Sequence, residues 1–177
     1  MRKFGIIAVL SLLVTALAAV PALAEGTAVF DPTQAPQGTH VQTGTPSCSF
    51  ADDGLTVVCS SYELAGVGNT NASASLVATY SATVTCTNKG GKTVPVKSTL
   101  QTAPTTTGSL SPENGRLLVP ELDSGPVPTA AEFEAAATCP NPNWTKATDT
   151  TTIALVSSTY TLTFEGFTSP YITIIDP

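Results

Sequence analysis

"ASLVATYSATVTCTNKGG", residues 74–91, alternates apolar and hydroxyl-bearing side chains almost without a break. Leu76, Ala78, Tyr80, Ala82, Val84 and Cys86 fall on one face. Thr79, Ser81, Thr83 and Thr85 fall on the other, with Val77 the exception. A period of two marks a strand with one buried face, because successive Cβ atoms point to opposite sides of the pleat. "NKGG" then turns the chain, and Val94, Val96 and Leu100 alternate with polar residues in a following strand. Pro95 has no amide proton, which confines that strand to a sheet edge or marks a bulge.

Cys86 closes the inward face of the first strand, as half of a staple, a metal ligand or a nucleophile. The start of the chain bears on the choice. Arg2 and Lys3 precede an apolar run from Phe4 through Val20, Pro21 breaks it, and Ala22-Leu23-Ala24 has the form of a signal-peptidase site. Residues 1–24 read as a signal peptide, cleaved between Ala24 and Glu25. No cysteine follows the apolar run, so a lipid anchor is not indicated, and "SPYITIIDP" at the end is far too short to span a bilayer. The expected location is secreted, outside the cell. In an oxidising compartment the four cysteines, Cys48, Cys59, Cys86 and Cys139, read as two disulfides, with three pairings open on counting alone.

"CSFADDGLTVVC", residues 48–59, narrows the choice. Asp53-Gly54 is a strong two-residue hairpin signal. With that pair at the tip, Asp52 faces Leu55, Phe50 faces Val57 and Cys48 faces Cys59. Opposed residues lie about 4.5–5.5 Å apart at Cα, within reach of a disulfide. Cys139 is then left to Cys86, closing a loop of about 54 residues worth ~4 kcal/mol in the chain-entropy model, against ~3 kcal/mol for the short loop.

The mature chain, 25–177, suits one domain that buries roughly 68–70% of its unfolded surface. Without Arg2 and Lys3, five basic residues face 13 acidic ones. Such a chain is repelled by nucleic acid and by anionic membranes. Only 11% of residues are charged; threonine, serine and alanine take their place, as suits β-sheets with hydroxyl-rich solvated faces. Residues 25–46 carry Pro32, Pro36 and Pro46 and read as an extended or mobile arm that holds the sole histidine, His40. The folded domain is expected over 47–177.

The strand phase reverses near Ser60-Ser61, and Gly66 and Gly68 mark a turn or bulge. Residues 101–128 are rich in Thr, Pro and Gly, with a short strand expected at Arg116–Val119. "PTAAEFEAAATCP" is the one helical stretch. Thr129 caps it, Glu132 completes a capping box, and Pro140 cannot continue it. Ile153, Leu155, Tyr160, Leu162 and Phe164 share a face if Ser157-Ser158 turns the chain, and "YITII" adds a last strand. Short strands, frequent turns and one helical insert predict an all-β, immunoglobulin-like Greek-key sandwich with two disulfides, with a small barrel as the alternative.

Catalytic and metal chemistry find little footing. Zinc and copper sites need several converging ligands, and there is one histidine. No G-x-S-x-G elbow appears, Gly66-x-Gly68 lacks the rest of a phosphate cradle, and no EF-hand spacing exists. Six carboxylates, Glu63, Glu113, Glu121, Asp123, Asp149 and Glu165, are the residues from which a glycosidase-like pair would have to come; solvated surface charge is the default reading of each. Asn71-Ala72-Ser73 and Asn143-Trp144-Thr145 match the glycosylation sequon. Trp144 and Tyr171 are candidates for an aromatic platform, although the expected place of Trp144 is the core, over the Cys86–Cys139 bridge.

Three segments, "YELAGVGNTN", "TVTCTNKGGKTVP" and "CPNPNWT", together resemble a group of small exported bacterial proteins, mostly actinobacterial, that carry no assigned function. The resemblance covers roughly residues 57–165. It implies a Cys86–Cys139 pair and no catalytic residue. Cys48 and Cys59 around a Gly-containing turn, in an acidic Thr/Ala-rich sandwich, are also similar to the enediyne-carrying apoproteins of actinobacteria, whose second cysteine pair is spaced differently. The expectation is a non-enzymatic secreted domain, without cofactor, that binds a glycan, a protein or a small apolar ligand or has a structural role. A carrier predicts an apolar pocket, and a carbohydrate-active enzyme or accessory module predicts a carboxylate pair in a groove.

Overall fold

The computed structural model describes residues 26–176. The expected signal peptide, 1–24, and its expected cleavage junction at Ala24/Glu25 lie outside the described residues. In chain order the elements are β1 (Val29–Phe30), β2 (His40–Thr43), β3 (Cys48–Phe50), β4 (Val57–Cys59), β5 (Tyr62–Ala65), β6 (Ala72–Thr87), β7 (Thr93–Gln101), β8 (Thr105–Thr106), β9 (Arg116–Val119), β10 (Leu122–Asp123), α1 (Ala130–Ala136), β11 (Thr145–Phe164) and β12 (Ile172–Asp176). Strands β1, β8 and β10 have two residues each, too few to show a period in the sequence.

All strand pairs are antiparallel. The main sheet runs β1-β12-β11-β6-β7, with β8 paired to β6 beyond the end of β7. Strand β7 is therefore an edge, which is where Pro95 is tolerated. Two three-stranded sheets, β2-β5-β9 and β10-β4-β3, cover the same face of the main sheet. The chain changes between them at Ser60-Ser61, the point where the alternation reverses. Within the 25–46 arm, β1 pairs with β12 and β2 with β5, so those stretches are strands of the fold. Gly66 makes this approach possible: its φ is 76°, and a Cβ there would lie 2.2 Å from the Gly38 carbonyl oxygen.

The inward residues of β6 are buried throughout, and they serve two cores. Ala72, Ala74 and Leu76 pack with Leu64, Leu117, Val119, Leu162, Phe164 and Ile172 under the small sheets. Ala78, Tyr80, Ala82 and Val84 pack with Phe133 and Ala137 under helix α1. The helix starts with the expected capping box: Thr129 accepts from the Glu132 amide, and the Glu132 carboxylate accepts from the Thr129 amide at 2.6 Å. Its other end is closed by Lys146, whose Nζ donates to the carbonyls of Glu134 and Ala137 at 2.7 and 2.6 Å. A cation there satisfies orphan carbonyls and opposes the negative end of the helix.

Two local expectations are corrected. First, Ser157-Ser158 is not a turn: β11 runs through it as one strand of 20 residues. Ser158 lies opposite Ala78 on one side and Asp176 on the other. The phase changes at two irregularities instead. From Asp149 to Ala154 β11 advances five residues while β6 advances two, and from Leu155 to Ser157 it advances two against one. Each leaves an odd number of extra residues, so the inward face passes from Lys146 and Thr148 to Leu155, then back to Ser158, Tyr160 and Leu162. A bulge and a hairpin turn both reverse parity, and alternation alone does not distinguish them. Second, the β3–β4 tip is a longer turn. Ala51 donates to the Thr56 carbonyl, Gly54 to the Ala51 carbonyl, and only Gly54 takes a positive φ. Asp53 accepts from the amides of Leu55 and Thr56 and from the Thr56 hydroxyl. The turn leaves Cys48 opposite Cys59, as in the two-residue reading.

Candidate functional site

Cys48 is bonded to Cys59 and Cys86 to Cys139, with Cα separations of 4.0 and 5.8 Å. All four thiols are thereby consumed, which matches an oxidising environment and removes a cysteine nucleophile. His40 is exposed on β2, its Nδ1 2.9 Å from the Gly38 carbonyl oxygen. Among the described residues no three His, Cys, Asp or Glu side chains are grouped to hold a metal, and no helix is long and apolar enough to cross a membrane.

Of the six candidate carboxylates, the fold brings two to one place. Glu63 and Glu113 line a depression of about 540 Å³ with Leu110, Arg116 and Leu118. Glu63 is committed to Arg116 at 3.1 Å, and Glu113 is exposed. The rest are dispersed. Glu165 accepts from Ser109 at 2.7 Å, Asp149 from the Thr151 amide and hydroxyl, Asp123 from the Gly125 amide, and Glu121 is exposed. The Asp149 and Asp123 contacts are local to their own turns, and the Glu165 contact ties two distant loops.

A half-open cleft of about 870 Å³ lies between helix α1 and the main sheet. It lies where β7 ends and the chain crosses to β8. Leu100, Pro104, Val127 and the helix residues Ala135 and Ala136 give it an apolar lining. Two features leave this volume open. The helix buries Phe133 and turns small alanines to the cleft. Pro104, Pro126 and Pro128 stiffen the walls without adding amide donors. Its polar groups are mostly spoken for. Thr102 Oγ1 accepts from the Ala78 amide, and Ser124 Oγ accepts from the Val57 amide beside the Tyr80 hydroxyl. Hydrogen bonds from the Thr129 amide and hydroxyl hold the Glu132 carboxyl below its usual range, so it serves as a cap and an anion. The cleft thus offers shape and apolar surface rather than acid–base chemistry.

A second concavity, about 660 Å³, is polar. Asn88, Lys89, Gly90, Asn141, Asn143 and Trp144 line it at the far end of the β6–β11 pair. Trp144 is half-buried there and belongs to neither core, contrary to the expectation that it is a core residue. The reason is its place: it follows a turn in which its amide donates to the Asn141 carbonyl, one residue before β11 begins. Tyr171 is buried against Phe30 and Phe164 near Leu162, so it forms no platform with Trp144.

The sequence reading missed both concavities. The cleft is built from residues 100–105 and 124–136, the end of a strand, a Thr- and Pro-rich stretch and the helix, and no signal in any one of them marks a concavity. The chain matches no protein-family model, no curated protein and no solved structure.

Proposed function

We propose that this protein is an exported, non-enzymatic binding domain that works outside the cell and holds a small apolar ligand in the cleft under helix α1. One observation carries this reading: a cleft of about 870 Å³ with an apolar lining and few free polar groups. Ligand pockets fall at roughly 300–1,000 Å³. The exported, extracellular part rests on the leader-like segment 1–24 and on the two disulfides. An immunoglobulin-like sandwich belongs to the same proposal; the two small sheets packed over one face of the main sheet support it. So does the resemblance to small exported actinobacterial proteins and, for the carrier role, to the enediyne-carrying apoproteins.

Mass spectrometry of protein recovered from culture medium tests this. The denatured mass is expected to correspond to cleavage after Ala24 and the loss of four hydrogens. The native mass is expected to carry a discrete noncovalent adduct. Ala135→Phe, which fills the cleft from an exposed helix position, is expected to abolish the adduct and the fluorescence of a bound apolar dye without lowering Tm. A clean apo mass together with dye binding unaffected by Ala135→Phe would refute the cleft as a ligand site.

A further inference from the structure

The groove around Trp144 is built by two loops that the fold locks together. Asn88 lies two residues after Cys86, and Asn141 lies two residues after Cys139. The disulfide therefore sits at the base of both loops. The first pair of the β6–β11 ladder, Thr87 opposite Thr145, closes the same end. Loops tied at their roots lose little freedom when a ligand docks, which is how preorganisation favours binding.

The hydrogen bonds within the loops fix which polar atoms face outward. Asn88 Oδ1 accepts from the amides of Gly90 and Lys92 at 2.9 and 2.8 Å, and Asn141 Oδ1 accepts from the Asn143 amide at 2.9 Å. Each carbonyl oxygen is spent on its own turn. The amide nitrogens of both side chains remain as donors, joined by the indole N–H of Trp144 and the ammonium of Lys89. Among the described residues none of these four groups has a hydrogen-bond partner within the protein. Asn143, which also lines the groove, adds one NH2 donor and one acceptor oxygen, so donor groups still outnumber side-chain acceptors there.

Its charge is unlike that of the rest of the chain. The protein has 13 acidic residues against seven basic ones, yet neither 86–112 nor 138–148 contains an acid. Lys89 and Lys92 share the loop that forms one wall, and Lys97 lies on the following strand. A ligand for this groove needs acceptors, negative charge and an apolar face for the indole. A pyranose bearing a carboxylate has all three: ring C–H groups to lie on an aromatic face, hydroxyls to accept from amides, and an anion for the ammonium.

We propose that the Trp144 groove is a binding site for an anionic glycan, with a uronate residue stacked on Trp144 and its carboxylate held by Lys89. This site is separate from the apolar cleft, and each stands without the other.

Trp144 is the chain's sole tryptophan, so its emission reports this groove alone. Titration with a short oligogalacturonate is expected to shift that emission saturably, while a neutral oligosaccharide of the same length binds about tenfold more weakly, the loss of one charge-assisted contact. Inorganic phosphate is expected to leave the emission unchanged. Lys89→Gln is expected to weaken oligogalacturonate binding about tenfold with Tm unaltered. Trp144→Ala, read by retardation in a polygalacturonate gel, is expected to lose it. No emission change with oligogalacturonate, equal binding of the neutral sugar, an equal response to phosphate, or undiminished binding by Lys89→Gln would each overturn the proposal.

Discussion

At the scale of single residues, one tyrosine pair and two cysteine pairs join segments distant in the chain or across a hairpin. Tyr62 and Tyr160 meet hydroxyl to hydroxyl at 2.9 Å across the main core, both nearly inaccessible to solvent. Burial pushes the Tyr160 hydroxyl up to about 12, with the bond from Tyr62 acting in the other direction. Burial first, and the neighbouring Tyr160 second, raise Tyr62 further still. A folded-state pKa above the unfolded value means that stability is full below pH ~10 and is lost as pH rises from there toward the folded value. Denaturant melts between pH 8 and 11 are expected to show that loss, approaching about 1.4 kcal/mol per pH unit for each such tyrosine. In Tyr62→Phe the slope should be shallower by one tyrosine's share. An unchanged slope would mean that the pair ionises freely in the fold. The cysteine pairs differ in the same quantitative way. The Cys86–Cys139 loop spans a separation of 53 residues and the Cys48–Cys59 loop 11. The chain-entropy model gives about 4 and about 3 kcal/mol respectively. Cys86→Ala is therefore expected to lower Tm more than Cys48→Ala, and equal or reversed shifts would show that loop length does not govern these bridges.

At the scale of elements, β11 is the longest strand among the described residues, 20 residues without a turn. Its middle is hydrogen-bonded to β6 on one side and to β12 on the other through Ser158. A proline there removes a ladder donor in a central strand, whereas a surface turn commonly accepts one. Ser158→Pro is expected to abolish cooperative unfolding by circular dichroism. Near-normal melting would restore the hairpin reading of Ser157-Ser158. The exposed Val156, at 39% accessibility, is the residue the bulge sets aside so that Leu155 and Tyr160 both face inward.

At the scale of the whole molecule, one sheet is shared by two cores of unequal attachment. The small sheets bring six strands to their core, whereas the other core is covered by a single helix of seven residues. The helix layer is held by Phe133, by Ser98 donating to its carbonyl, by Lys146 and by the Cys86–Cys139 bridge. Stability then varies along the molecule. In the Cys86→Ala/Cys139→Ala double variant, hydrogen exchange is expected to lose protection first over 130–137, while 72–76 and 160–164 stay protected. Uniform loss across all three segments would mean that the two cores unfold as one.

By itself the sequence determined the elements with strong local signals. The period of β6, the capping box of Thr129 and Glu132, the strand at Arg116–Val119 and the face shared by Cys48 and Cys59 all follow from interactions within a few residues. Alternation, caps and hairpin register are local physics, and they survive even where a turn is longer than expected. Tertiary structure decided the rest. Whether Ser157-Ser158 turns or bulges depends on β6 and β12 lying on either side. Whether Trp144 packs inward depends on where a disulfide places its loop. The cleft and the groove arise from segments far apart in the chain, Leu100 with Ala136 and Asn88 with Asn141. A concavity is the space that distant elements leave between them, and alternation or capping along a single stretch carries no record of it.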